Sequence, residues 1–161
     1  MIKHPGANGG GRVDHRYYMA LALKEAQKAF DLGEVPVGAL MVKDGEIVSR
    51  AHNLRETNHD PTAHAEVLAI RQAARALQTW RLTGTTLYVT VEPCPMCAGA
   101  IVQARVDTLV YGAIDPKAGA VDSLMNLVQF PRFNHQVHVI PGVMEEECRE
   151  IIRRFFAELR G

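Results

Sequence analysis

The sequence predicts an α/β fold, a three-layer α/β/α sandwich around a five-stranded mixed sheet. Three observations carry this expectation. Helical and strand-like signals alternate along the chain in the order α-β-β-α-β-α-β-(loop, short helix)-β-α, the pattern of a sheet covered by helices. Two β-prone runs flank Lys43-Asp44-Gly45, which reads as a hairpin and makes part of the sheet antiparallel. The stretch 114–136 is long enough for a crossover, so the last two strands can run parallel.

The elements follow in order. Gly6, Gly9, Gly10 and Gly11 mark residues 1–13 as a flexible N-terminal extension, and residues 14–161 as a single domain. Met19, Ala22, Leu23, Ala26 and Phe30 recur at helical spacing, with Asp14 as cap and Gly33 as stop. Residues 37–42 and 46–49 form the hairpin strands, and a polar loop runs over 52–60. Asp60-Pro61 reads as the start of a helix over 62–77. Residues 86–91 are a strand, 93–104 a helix, 108–112 and 137–140 strands. A closing helix over 144–159 opens on Glu145, Glu146 and Glu147 and ends near Arg153, Arg154 and Arg160, the polarity that the helix dipole favours.

Length and composition bound the function. A chain of 161 residues is one domain's worth and needs no disulfide staples. Apolar residues make up 47% and charged residues 22%, which argues against wholesale disorder. Lys plus Arg total 18, as do Asp plus Glu, so the net charge is zero. That excludes a broad, cation-coated nucleic-acid binder but leaves room for a compact RNA site. No apolar run approaches the ~20 residues of a membrane span, and the N-terminus carries no hydrophobic signal segment. The expectation is a cytoplasmic protein without a membrane partner. In such a reducing compartment, Cys94 and Cys97, three apart, suggest metal or redox chemistry rather than a disulfide framework.

Two short motifs carry chemistry, His64-Ala65-Glu66 and Pro93-Cys94-Pro95-Met96-Cys97, each expected to open a helix. Sulfurs three residues apart on a first helical turn face one side. One imidazole added to them makes three protein ligands, the number a catalytic zinc site uses while leaving its fourth position to water. Helix starts carry partial positive charge, which favours thiolates. Glu66 is the informative extra, because a carboxylate that is not itself a ligand suits a site that moves protons. Taken alone, Cys-x-x-Cys leaves redox chemistry and core packing open. On an ideal helix, moreover, His64 and Glu66 point ~200° apart, so they converge only if a cleft wraps over the helix start.

Together, in this order, the motifs match the zinc deaminase signature His-x-Glu…Pro-Cys-x-x-Cys, for which adenosine and cytidine deaminases are the worked example. The chain resembles the bacterial tRNA-specific adenosine deaminases from about Asp14 to its C-terminus. The resemblance rests on residues 33–39, Asn53, the two motifs with Glu92 and residues 98–101, then Tyr111-Gly112-Ala113, residues 115–120 and Ser123-Leu124. Ile114 stands where some relatives carry a basic residue.

What the resemblance implies is a cytidine deaminase-like fold and hydrolysis of adenosine to inosine at the wobble position of a tRNA anticodon. His64, Cys94 and Cys97 would hold one zinc ion per subunit, which acidifies the attacking water. Glu66 would carry the proton to the ring nitrogen and then to the departing ammonia. Asn53 would hydrogen-bond the purine, with Val35, Ala65, Pro93, Asp115 and Lys117 as further substrate-binding positions. The implied partners are a tRNA anticodon stem-loop and a second copy in a homodimer.

Read without the resemblance, Asn53 is a loop residue in a side-chain turn, Val35 leads into a strand, and Asp115-Pro116 is an ordinary turn. Cys148 reads as a buried small hydrophobe, and His138 as the polar side of a strand. Arg149, Arg153 and Arg154 read equally as an RNA contact or a solvated face. Two other functions share the motifs, a deaminase of free bases or nucleotides and a zinc-stabilised RNA-binding module. The segment 114–136, with Lys117 and Arg132, favours RNA over a free base, and Glu66 argues against a site without catalysis.

Overall fold

A computed structural model of the chain describes residues 13–160. The flexible extension expected over 1–13 lies, but for Val13, outside the described residues. α1 (His15–Asp31) is capped by Asp14, whose carboxylate accepts the Tyr17 N–H at 3.2 Å. Gly33 takes up a positive φ of 79° just past its end, as a stop requires. β1 (Gly38–Lys43) and β2 (Glu46–His52) are joined through Asp44 and Gly45, both at positive φ, the conformation of a tight hairpin turn. α2 (Ala65–Leu77), β3 (Thr85–Val91), α3 (Pro95–Gln103), β4 (Thr108–Ala113), β5 (His138–Ile140) and α4 (Glu145–Arg160) follow.

The five strands form one sheet in the order β2-β1-β3-β4-β5. β1 runs antiparallel to β2 and β3, whereas β3, β4 and β5 are mutually parallel. The sheet is therefore mixed, and the crossover through 114–136 delivers the parallel last pair. Strand alternation sends successive side chains to opposite faces. Leu40 and Val42 of β1, Tyr88 of β3 and Val110 of β4 meet Tyr18, Met19 and Ala22 of α1 and Cys148 of α4. Ala39, Met41, Leu87, Val89 and Leu109 meet Ala65, Ala69 and Ala73 of α2 and Ala98 and Ile101 of α3. Both faces of the central strands are buried, which is why β1 reads as a continuous apolar run from Ala39 to Val42. Cys148 is fully buried, as its small apolar character suggested.

Three local expectations are corrected. The helix expected from 62 begins at Ala65, because the Asp60 carboxylate accepts from both the N–H and the hydroxyl of Thr62 and closes a side-chain turn there. The helix expected from Pro93 begins at Pro95. Cys94 precedes a proline, which excludes the helical region, and it sits extended at φ −74°, ψ 174°. The short helix expected in 114–136 is absent among the described residues, where the segment is a series of turns. Its N–H groups at Val121, Asp122 and Ser123 go to the Glu92 carboxylate instead of to carbonyls one turn back.

Candidate active site

The parallel strands β3 and β4 end at the same edge of the sheet, where loops in open α/β folds build their sites. From Val91 the chain passes through Glu92 and Pro93 into Cys94, the N-cap of α3. α2 lies beside α3 on the same sheet face and brings its own N-cap, His64, to the same place. Nδ1 of His64 lies 3.7 Å from Sγ of Cys94 and 3.5 Å from Sγ of Cys97. All three candidate ligand atoms fall within 4.8 Å of one another, close enough to hold one metal ion.

The start of α2 also resolves the angular difficulty between His64 and Glu66. His64 is extended at φ −77°, ψ 150°, so it lies outside the helix and the ideal helical angle does not apply. Both side chains line one cleft of about 250 Å³. Glu66 is only 4% exposed. Burial disfavours its charged form and pushes its pKa up to about 7, against a backbone hydrogen bond that lowers it. A hydrogen bond with Cys97 pulls the Cys94 thiol far down, and the same bond together with burial pushes Cys97 up. The hydrogen bond with Cys94 raises His64. Two sulfurs and one imidazole at helix starts are the soft, borderline donor set that zinc prefers.

Comparison with known proteins gives the same family. The model of MafB19-like deaminases matches residues 13–160. The tRNA-specific adenosine deaminase of Bacillus subtilis (strain 168) is 60% identical over 143 residues, covering 89% of both chains. That of Aquifex aeolicus (strain VF5) is 49% identical over 145 residues, 90% of this chain and 95% of its own. The chain belongs to the tRNA-specific adenosine deaminase family. A solved structure from work on A-to-I editing by tRNA:A34 deaminases at the wobble position of transfer RNA superposes with a TM-score of 0.81 at 47% identity. It covers 84% of this chain and 98% of its own.

In this deaminase the cleft is lined by Val35, Asn53, Ala65 and Asp115 among the expected substrate positions. Asn53 does form the side-chain turn that a loop asparagine favours, accepting the Arg55 N–H at 3.1 Å, and its Nδ2 donates to the Val35 carbonyl at 3.2 Å. An amide has two donors and two acceptor sites, so one of each remains for the cleft. The Asp115 carboxylate closes its own turn on Lys117 and Ala118. Two positions stand off the cleft. Pro93 is buried with its carbonyl taken by Ala120 at 2.8 Å, and Lys117 is exposed in a neighbouring groove with Ile114, Arg149 and Phe156. Arg149 pairs with Glu145 and Glu146, and Arg153 with Glu150, so these arginines are engaged along α4 itself. His138 is exposed.

Sequence reasoning gave no role to two carboxylates that support the cleft of the deaminase. Glu34, 1% exposed, accepts from the N–H groups of Glu56 and Thr57 and holds the loop that carries Asn53 and Arg55. Glu92, 2% exposed, lines the cleft and accepts from the backbone of Asp115, Val121, Asp122 and Ser123. Burial raises the pKa of each, but hydrogen bonds to the charged form outweigh it and hold both below the usual carboxylate range. The available signal was an acidic residue among apolar neighbours, Glu34-Val35-Pro36 and Val91-Glu92-Pro93. Carboxylates are seldom buried unless partnered.

Proposed function

We infer that this protein hydrolyses adenosine to inosine at the wobble position of a tRNA anticodon, in a single deaminase domain over residues 14–161. The observation that carries the reading is the convergence of His64, Cys94 and Cys97 beside the buried Glu66 in one cleft. The three ligand-type residues would hold one zinc ion. When bound, zinc acidifies water toward neutrality.

The chain's own residues supply the rest. Water adds its oxygen to C6, the C6–N bond breaks, and ammonia leaves. Two proton movements accompany this, one to the ring nitrogen beside C6 and one to the leaving amine. Glu66 makes both. Burial raises its pKa above the usual carboxylate range, which favours a group that both takes up and gives up a proton. Its burial keeps bulk water from competing for the proton. Asn53 offers the purine one donor and one acceptor, and Val35 and Ala65 form apolar wall for the ring. Pro93 shapes the approach to Cys94 from behind the cleft. Asp115 and Lys117 stand toward the flanking RNA backbone. The base must leave its stack to enter so small a cleft.

Zero net charge agrees with an enzyme that reads a loop by shape and a few contacts. The reading includes a homodimer, to which the exposed Leu124, Met125, Phe130 and Phe133 offer apolar surface. It also includes a cytoplasmic location, where tRNA is found. No helix among the described residues is long and apolar enough to cross a membrane.

Incubation of the purified protein with total tRNA, with an anticodon stem-loop and with free nucleosides tests this. Inosine is expected in the RNAs. Inosine from free adenosine alone would overturn the tRNA assignment, and none from any substrate would overturn the reaction. Sedimentation at micromolar concentration tests the dimer.

A further inference from the structure

Part of the cleft wall, at Asp115 and Ala118, comes from the segment after β4, which among the described residues has no helix of its own and pairs with no strand. It is built instead on one side chain. Oε2 of Glu92 accepts three successive backbone N–H groups, from Val121 at 3.1 Å, Asp122 at 2.8 Å and Ser123 at 2.9 Å. Oε1 accepts the Asp115 N–H at 3.0 Å and the Ser123 hydroxyl. Successive N–H groups that converge on one oxygen form a concave anion nest, here filled by a carboxylate from the end of β3.

Gly119 crosses directly over that carboxylate. A Cβ at this position would lie 2.3 Å from Cδ of Glu92 and 2.4 Å from each oxygen, so any side chain there must displace the carboxylate. The far side of the loop is tied as well, by the Tyr111 hydroxyl donating to Asp122. Asp115 and Ala118 of this loop face the cleft, and Glu92 borders it too.

We propose that Glu92 is a positioning residue for substrate: its carboxylate preforms the 115–123 wall, so the target nucleotide binds without having to order that loop. The proposal rests on the functional reading above and extends it to the source of binding affinity. Preorganisation of this kind lowers the cost of binding rather than of the chemical step. Loss of Glu92 therefore raises KM more than it lowers kcat. A merely structural role would instead lower zinc content, folding and kcat together.

The substitution Glu92→Gln probes this with minimal change in shape. The amide nitrogen has no acceptor to offer, yet both carboxylate positions face only donors, so one group of N–H donors loses its partner. The second variant, Ser123→Ala, removes a single bond and leaves the nest intact. Steady-state kinetics on an anticodon stem-loop, zinc content and hydrogen exchange of residues 115–123 are measured for both. Glu92→Gln is expected to keep one zinc per chain, to raise KM about tenfold or more with kcat within about threefold, and to speed exchange at 121–123. Ser123→Ala is expected to show the same pattern, weaker. Formate added to Glu92→Gly is expected to refill the nest and restore KM in part.

An unchanged KM, or a kcat that collapses while KM holds, would overturn the proposal. Hydrogen exchange needs no substrate. A wild-type protein that makes no inosine would sink the functional reading, and exchange at 121–123 as slow in Glu92→Gln and Ser123→Ala as in wild type would sink this one separately.

Discussion

Nδ1 of His64 lies 3.5 Å from Sγ of Cys97, a residue 33 positions along the chain. The contact exists because each lies at the start of its helix, one at the N-cap of α2 and the other in the first turn of α3. Cys94→Ala removes one of the three ligand-type side chains from this group. The variant is expected to lose both bound zinc and deamination, measured by metal analysis and an inosine assay. One zinc per chain with full turnover in that variant would mean that the ligand set is wrong. Chelation of the wild-type protein should abolish activity too and lower its thermal midpoint, since a ligand bound only by the folded state stabilises it.

Glu66 lies outside the His64, Cys94 and Cys97 group that could hold a metal ion. Glu66→Ala is expected to retain zinc and fold while losing deamination. General acid–base groups contribute about 10²–10⁴-fold in rate, so kcat should fall by at least that range. Turnover within tenfold of wild type would remove Glu66 from the mechanism.

Glu34 predicts a pH dependence of stability. Its hydrogen bonds from Glu56 and Thr57, with the nearby charge of Arg55, outweigh burial and hold its folded pKa below the usual carboxylate range. The unfolded chain therefore binds this proton more readily than the folded one. The contribution of Glu34 is fully present above the ordinary value of about 4.3 and is lost as pH falls through the lower folded value. Glu34→Gln should be less stable than wild type at pH 7 by about 2 kcal/mol. The gap should narrow on acidification below the ordinary value, as read from denaturant midpoints across pH. A gap that widens there would reverse the sign of the argument.

Gly38 sets how closely α1 lies on the sheet. A Cβ there would meet the Ala22 carbonyl oxygen at 2.0 Å and the Ala26 nitrogen at 2.5 Å, both backbone atoms of a helix that cannot yield locally. Gly38→Ala is expected to destabilise the fold by about 3 kcal/mol, the upper part of the usual overpacking range. A denaturation midpoint equal to that of wild type would contradict this.

Much of this architecture was legible in the sequence because its signals are local. Met19, Ala22 and Ala26 repeat at helical spacing and are buried in α1, and Asp44-Gly45 marks a turn that only positive φ can make. The boundaries that differ from the periodicity have physical causes one step beyond it. The Asp60 side chain intercepts the start of α2, and Pro95 forbids Cys94 a helical conformation. The expected helix in 114–136 is absent for a longer-range reason, since its donors are claimed by Glu92, just past the end of β3. Of the candidate site, the residue types were readable but not their roles as supports. Glu34 and Glu92 look like ordinary acidic residues until their partners, more than twenty positions away, are known.

The sequence by itself determined the order of helices and strands, the burial of both sheet faces and the presence of two thiols, an imidazole and a spare carboxylate with metal-type spacing. Each of these depends on periodicity and chemistry within a few residues. Only the tertiary structure decided that the two helix starts meet, that His64 and Glu66 share a cleft despite their spacing, and that buried carboxylates hold both walls. Those outcomes depend on strand order and on hydrogen bonds between segments far apart in the chain, which no local pattern encodes.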